Sequence, residues 1–134
     1  MIRSATPEDL GAIAAIQAGS SGASHWAPES YLGYDCLVAE VQGSVVGFLV
    51  TRRTAPDEGD ILNLAVDPAH RRRGIGRRLL AHALVAGGAW FLEVRQSNRA
   101  AISLYQSLGF EVAGQRPEYY HNPTESGIVL RLRS

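Results

Sequence analysis

Between Asn63 and Leu80 the chain reads NLAVDPAHRRRGIGRRLL. An apolar run (Ile61, Leu62, Leu64, Ala65, Val66) stops at Asp67-Pro68. A basic loop with two glycines follows, Arg71, Arg72, Arg73, Gly74, Ile75 and Gly76, and then a helix-forming stretch from Arg77 to Ala86. Strand, glycine turn and helix start together present a row of free backbone N–H groups to an anion. Glycine lets the backbone approach closely and adopt conformations a Cβ forbids. Arginines add a charged fork for the same anion. The chemistry this predicts is binding of a diphosphate-bearing cofactor. The competing reading is a basic helix-capping loop with no ligand.

The loop narrows the choice of diphosphate. A Walker loop requires Lys after its last glycine. Here that place is Arg77, and the chain contains no Lys, which argues strongly against a P-loop NTPase. A dinucleotide fingerprint requires a third glycine, where this chain has Leu79.

A second chemical group lies in Trp90-Phe91-Leu92-Glu93-Val94-Arg95, one carboxylate in an otherwise apolar strand. Strand parity puts Phe91, Glu93 and Arg95 on one face. A carboxylate there must face a cleft or find a partner, because burying it alone is costly. The alternative to a reactive Glu93 is a surface pair with Arg95. Asn98 suits the N-cap of the next helix. Tyr105 lies seven residues on, on the same face and roughly 10 Å along the axis. On its own it reads as an ordinary half-buried aromatic.

The elements that must hold these groups follow from pattern. Residues 2–5 form a first strand. Thr6-Pro7-Glu8-Asp9 opens a helix that runs to Gly19. Small residues from Gly19 to Ser24 make a flexible loop. Pro28 to Tyr34 is a short second helix. Leu37 to Val41 and Val45 to Arg52 are strands joined by the Gln42-Gly43 turn. Thr54 to Gly59 turns, and Asp60 to Val66 is a strand. Helix 74–86 stops at Gly87-Gly88. Ala89 to Arg95 is a strand, Asn98 to Leu108 a helix, and Phe110 to Ala113 and Ile128 to Leu132 are the last strands. The class is α/β, a mixed sheet flanked by about four helices.

At 134 residues the expectation is one domain over 1–134. Basic and acidic residues are 13 each, which argues against non-specific binding to nucleic acid or membranes. All thirteen basic residues are Arg, attributed to genomic base composition. The single Cys36 excludes a disulfide framework, sits in an apolar run and reads as core. With no signal peptide or membrane-length apolar run, a cytoplasmic location is expected. The four His share no ligand spacing, so no metal is implied.

The string Arg, two residues, Gly, any residue, Gly, placed directly after a V-D-P strand end, resembles the acetyl-CoA-binding motif of the GNAT N-acetyltransferases. The element order β-α-α-β-β-β-α-β-α-β-β is similar to that fold over the whole chain. The segment LEVRQSNRAAISLYQSLGF (Leu92 to Phe110), the strand NLAVDP and the pair Tyr119-Tyr120 resemble the RimI-like branch, which acetylates the N-terminal alanine of a ribosomal protein. Trp26 resembles a Trp of that branch. The last hairpin departs: where such chains carry E-D-A, this one has Glu125-Ser126-Gly127.

The resemblance implies an N-acetyltransferase moving acetyl from acetyl-CoA to a primary amine, most simply a protein N-terminal α-amine. It implies Glu93 as general base and Tyr105 as general acid. Leu64, Ala65 and Val66 would polarise the thioester and pair with the pantetheine arm. Arg71, Arg72, Arg73, Gly74, Ile75, Gly76 and Arg77 would hold the pyrophosphate, and Asn98 would touch the cofactor arm. Trp26, Tyr31 and Tyr119 would line the acceptor site. The implied partner is a protein or peptide N-terminus, such as that of a ribosomal protein, bound by a monomer or weak dimer. The alternatives are an acetyltransferase for small amines and a CoA-binding module without turnover. Elementary acidities fit: an α-amine near 8 asks little of a carboxylate base, and a thiol near 8.5 lies only about 1.5 units below a phenol near 10.

Overall fold

In the computed structural model, the described residues are 1–20, 26–121 and 124–133. Residues 21–25, which take in most of the small-residue loop expected from Gly19 to Ser24, and residues 122, 123 and 134 lie outside them. The strands are β1 (Ile2–Ser4), β2 (Asp35–Val41), β3 (Ser44–Ala55), β4 (Glu58–Val66), β5 (Ala89–Arg95), β6 (Glu111–Tyr120) and β7 (Glu125–Arg133). The helices are α1 (Leu10–Ala18), α2 (Ile75–Leu84) and α3 (Arg99–Ser107), with 3₁₀ segments at Pro7–Asp9, Pro28–Gly33 and Pro68–His70. The hydrogen-bonded strand order is β1-β2-β3-β4-β5-β7-β6. One compact unit comprises Met1–Arg52 and Ile61–Ala86; the other comprises Arg53–Asp60 and Gly87–Ser134.

In the first unit, β1 pairs antiparallel with β2 (Arg3 opposite Val38), and β2 with β3 (Val38 opposite Phe48). Its core gathers Ile13, Ile16, Tyr31, Cys36, Val38, Phe48, Val50 and Ala65. Alternation along β4 buries Ile61, Asn63 and Ala65 and leaves Leu62, Leu64 and Val66 half-buried. Burial pushes the Cys36 thiol up to about 11, as expected of a core cysteine.

Gly47 of β3 sets how α2 sits. A Cβ there would stand 3.2 Å from Ile75 Cγ2 and 3.4 Å from Leu79 Cδ1. Its absence lets α2 lie close on the strand, with Ile75, Leu79 and Leu80 buried beneath. The start of α2 is thereby fixed beside the end of β4.

In the second unit, Glu58, Gly59 and Asp60 pair parallel with Ala89, Trp90 and Phe91. β5 pairs antiparallel with β7, placing Glu93 opposite Val129 and Arg95 opposite Gly127. β6 pairs with β7 through two irregularities, between Val112 and Gly114 and between Arg116 and Tyr120.

Several boundaries differ from the sequence reading. The segment at Pro28 is a 3₁₀ turn, not an α-helix. The turn expected over Thr54 to Gly59 shrinks to Pro56-Asp57, because β3 and β4 both run further. β6 reaches Tyr120 where a strand ending at Ala113 was expected. Pro117 and a left-handed Glu118 (φ 53°) interrupt its pattern but sit in a bulge, where a missing donor is tolerated.

Candidate active site

The basic loop begins where β4 ends. Asp67 turns the chain by accepting the Ala69 N–H at 3.2 Å, while its own N–H donates to the Val46 carbonyl at 2.8 Å. Arg71 folds back, donating from Nε to the Val66 carbonyl and from Nη2 to Ser20 Oγ, both at 3.2 Å. Arg72 (φ 63°) and Gly74 (φ 76°) are both left-handed, with Arg73 between them. Alternating conformations of this kind turn successive N–H groups into one concavity. Gly74 is the N-cap of α2, and a Cβ there would meet no atom within 4 Å, so the backbone is open to a ligand. Arg71, Arg72, Arg73, Arg77 and Arg78 are all exposed around this turn. No carboxylate lies between Asp67 and Glu93, so this stretch supplies no competing anion. A helix N-terminus, a left-handed glycine and five arginines fit a polyphosphate well.

Glu93 is the chemical centre of the second unit. It does not pair with Arg95, as the surface alternative required. Arg95 instead donates from Nη1 to Glu125 at 3.1 Å and from Nη2 to the His121 carbonyl at 3.0 Å, with its guanidinium 4.7 Å over the Tyr120 ring. Glu93 Oε1 faces Arg116 Nε at 3.5 Å. Glu93 Oε2 is buried and has no hydrogen-bond partner among the described residues. A buried carboxylate oxygen without a hydrogen-bond partner is costly.

The roof over this oxygen comes from the β6–β7 hairpin. A Cβ on Gly127 would stand 2.6 Å from Glu93 Oε2 and 3.2 Å from each of the Tyr119 and Tyr120 rings. The glycine therefore makes the room that the carboxylate occupies. Arg116 stacks 5.0 Å from the Tyr119 ring centre, and the two tyrosines meet edge to face at 5.1 Å. Tyr119 stays 47% exposed, so it can meet an acceptor.

Glu125 braces the start of α3. It accepts hydrogen bonds from the Ser97 N–H and Ser97 Oγ, each at 3.0 Å, as well as from Arg95. Desolvation works to raise its pKa, but the hydrogen bonds from Arg95 and Ser97 together outweigh that and lower it. Asn98 caps α3, its Oδ1 accepting the Ala101 N–H at 3.2 Å. Tyr105 is 4% exposed and meets Phe110 edge to face at 5.4 Å. Burial pushes its phenol well above the usual range. The small gap between thiol and phenol expected from reference acidities is thus a larger one in the folded protein.

Of the acceptor-side residues, Trp26 is 45% exposed. Tyr31 is corrected: it is fully buried, stacked on Phe48 at 5.7 Å, with its hydroxyl held by Gln17 and Asn63. An amphipathic Tyr-Leu pair at the end of a short segment does not reveal which of the two turns inward, and here Leu32 is the exposed one. Arg116 and Gly127 were not anticipated as neighbours of Glu93. The signals were a Pro within a strand and the glycine in place of the Ala of E-D-A.

Among the described residues, no group of three or more His, Cys, Asp or Glu could hold a metal ion, and no helix is long and apolar enough to cross a membrane.

The acetyltransferase (GNAT) domain family matches residues 33–112. The chain is 47% identical over 97 residues to the N-alpha-acetyltransferase RimI of Mycobacterium tuberculosis, covering 69% of this chain and 61% of that protein. It is 44% identical over 104 residues to an uncharacterized protein of Mycobacterium leprae, covering 73% of this chain and 29% of that protein. The chain therefore spans less than two thirds of the length of these relatives. The crystal structure of the ribosomal-protein-S18-alanine N-acetyltransferase from Escherichia coli superposes with a TM-score of 0.83 at 33% identity, covering 98% of this chain and 92% of that one. The chain belongs to the GNAT acetyltransferase family.

Proposed function

We propose that this protein is an acetyl-CoA-dependent N-acetyltransferase acting on the N-terminal α-amine of a protein. The observation that carries the reading is Glu93 Oε2, a buried carboxylate oxygen with no hydrogen-bond partner among the described residues, beneath the Tyr119 and Tyr120 rings of the hairpin. Its relatives named for N-terminal and ribosomal-protein alanine acetylation support the same acceptor class.

Acetyl-CoA supplies the acetyl group as a thioester. Backbone N–H groups of Arg72 to Gly76 and the arginines around them hold its pyrophosphate. Leu64, Ala65 and Val66 offer main-chain groups to the pantetheine arm and the thioester oxygen, and Asn98 is a further contact for the cofactor arm. Glu93 takes a proton from the acceptor ammonium, leaving the nitrogen lone pair free to bond the acetyl carbon. Tyr105 Oη gives a proton to sulfur as the carbon–sulfur bond breaks, and the second proton that the nitrogen sheds as the amide forms returns, by way of solvent, to restore the phenol. Burial raises the Tyr105 phenol above its ordinary value, so it keeps its proton across the neutral range. Tyr119 and Trp26 contact the acceptor chain. A ribosomal-protein acceptor is the one that the Escherichia coli neighbour's name suggests, and a cytoplasmic site of action is part of the same proposal.

The test is a panel of peptides beginning Ala, Ser, Met or Gly, each with a free or a blocked α-amine, incubated with acetyl-CoA and read by mass. Acetylation confined to free α-amines supports the proposal. Acetylation of small amines only would replace it.

A further inference from the structure

Three polar side chains are buried in the core of the first unit with no part in the chemistry above. Gln17 and Asn63 are each 6% exposed and Tyr31 is fully buried. Asn63 Nδ2 donates to Tyr31 Oη at 3.1 Å and to Gln17 Oε1 at 3.4 Å, and Tyr31 Oη donates to Gln17 Oε1. Gln17 Nε2 then donates to the Trp26 carbonyl at 2.8 Å. The chain of bonds starts on β4, one residue before Leu64, crosses α1 and ends on the main chain of the Trp26 segment.

Such a network is an expensive way to fill a core. Each buried polar group costs free energy unless satisfied, and apolar side chains of similar volume would avoid that cost. What the network provides instead is a single geometry. Its last bond fixes the backbone that carries an indole 45% exposed, and that indole packs 6.3 Å from the Tyr31 ring. A large, rigid, half-exposed aromatic on a tethered backbone contacts a peptide at little entropic cost.

We infer that Gln17, Tyr31 and Asn63 are positioning residues for the acceptor: they hold Trp26 as a fixed wall against which the acceptor chain docks. This rests on the N-terminal-amine reading above. It gives Tyr31 a role through Trp26 where direct contact is closed to it.

The experiment is a double-mutant cycle on the acceptor KM, with wild type, Gln17→Met, Trp26→Ala and the double variant. Each single substitution should raise the acceptor KM about tenfold, with kcat and the acetyl-CoA KM unchanged within about twofold. The double variant should be no worse than Trp26→Ala, because a tether has nothing to position once the indole is gone. Multiplying effects, or an unaltered acceptor KM in either single variant, overturn the inference. Tyr31→Phe keeps the ring on Phe48 and serves if Gln17→Met does not fold. It should move the acceptor KM in the same direction, and an unchanged value overturns the inference. If wild type acetylates no peptide, the N-terminal reading has failed, and the tether is read by acrylamide quenching of tryptophan. Trp90 is 3% exposed and contributes little quenching, so Gln17→Met should raise the quenching constant through Trp26. Equal quenching in the two proteins overturns the tether itself.

Discussion

Gly127 and Glu93 share one small volume: a methyl group on the first would lie 2.6 Å from Oε2 of the second. Gly127→Ala should push the carboxylate out of its seat while leaving the fold intact, since the far end of a flexible side chain can move. A displacement of about 1 Å at a reacting group can cost up to about 100-fold in rate. The expected result is a fall in kcat with acetyl-CoA affinity and melting temperature nearly unchanged. A kcat equal to wild type would show that the seat does not matter.

Glu93→Gln keeps shape and hydrogen bonding but cannot take a proton. It should fold and bind acetyl-CoA, yet lose most activity near neutral pH. Activity should recover in part as pH rises past the α-amine pKa near 8, where the acceptor arrives already deprotonated. Superimposable pH–rate profiles for the variant and wild type would remove Glu93 as the base.

Tyr105→Phe removes one buried hydroxyl and leaves the ring on Phe110. Loss of a general acid is typically worth about 100- to 10,000-fold. Turnover should fall with the acetyl-CoA dissociation constant unmoved. An unchanged rate, with chemistry shown to limit turnover, assigns the proton to another donor.

Gly76→Asp places a carboxylate in the second position of α2, at the mouth of the phosphate turn. Acetyl-CoA should raise the melting temperature of wild type, because a ligand that binds only the native state stabilises it. The variant should lose most of that rise. Equal thermal shifts would contradict the loop's assignment to the pyrophosphate.

Asp9 accepts two hydrogen bonds from Arg3, at 2.8 and 2.9 Å, and its pKa falls to about 2, chiefly through that pairing. A group depressed in the folded state stabilises above its unfolded pKa and loses that contribution as pH falls through the folded one. Acid unfolding should therefore draw on Asp9 between about pH 4 and pH 2. In Asp9→Asn the stability curve over that window should flatten, as measured by denaturant titration at fixed pH. A slope identical to wild type would assign the loss to other carboxylates.

The order of strands and helices was legible because glycines, prolines and apolar periodicity punctuate this chain clearly. Gly74 and Asn98 announced their helices, and β5 was read to the residue from Ala89 to Arg95. What escaped was set by partners distant in sequence. Arg95 looked like Glu93's neighbour at a spacing of two, but its partner is Glu125, which pairing of β5 with β7 brings alongside. The roof of Glu93 depends on a register shift in β6 that no local pattern encodes. Tyr31 and Gln17 carry polar atoms that a sequence assigns to the surface, and only the mutual satisfaction of three buried groups lets them lie inside.

The broken register of β6 also bears on how the molecule keeps to itself. β6 is the last strand in the sheet order, and most of its residues are exposed. An open border of this kind is a template on which another chain can add a strand and begin to aggregate. Here Pro117 offers no N–H, Glu118 turns the backbone left-handed, and Glu111 and Arg116 bring charge to the rim. The same kink that roofs a carboxylate thus spoils the border as a seed for intermolecular pairing, so straightening it would trade solubility as well as activity.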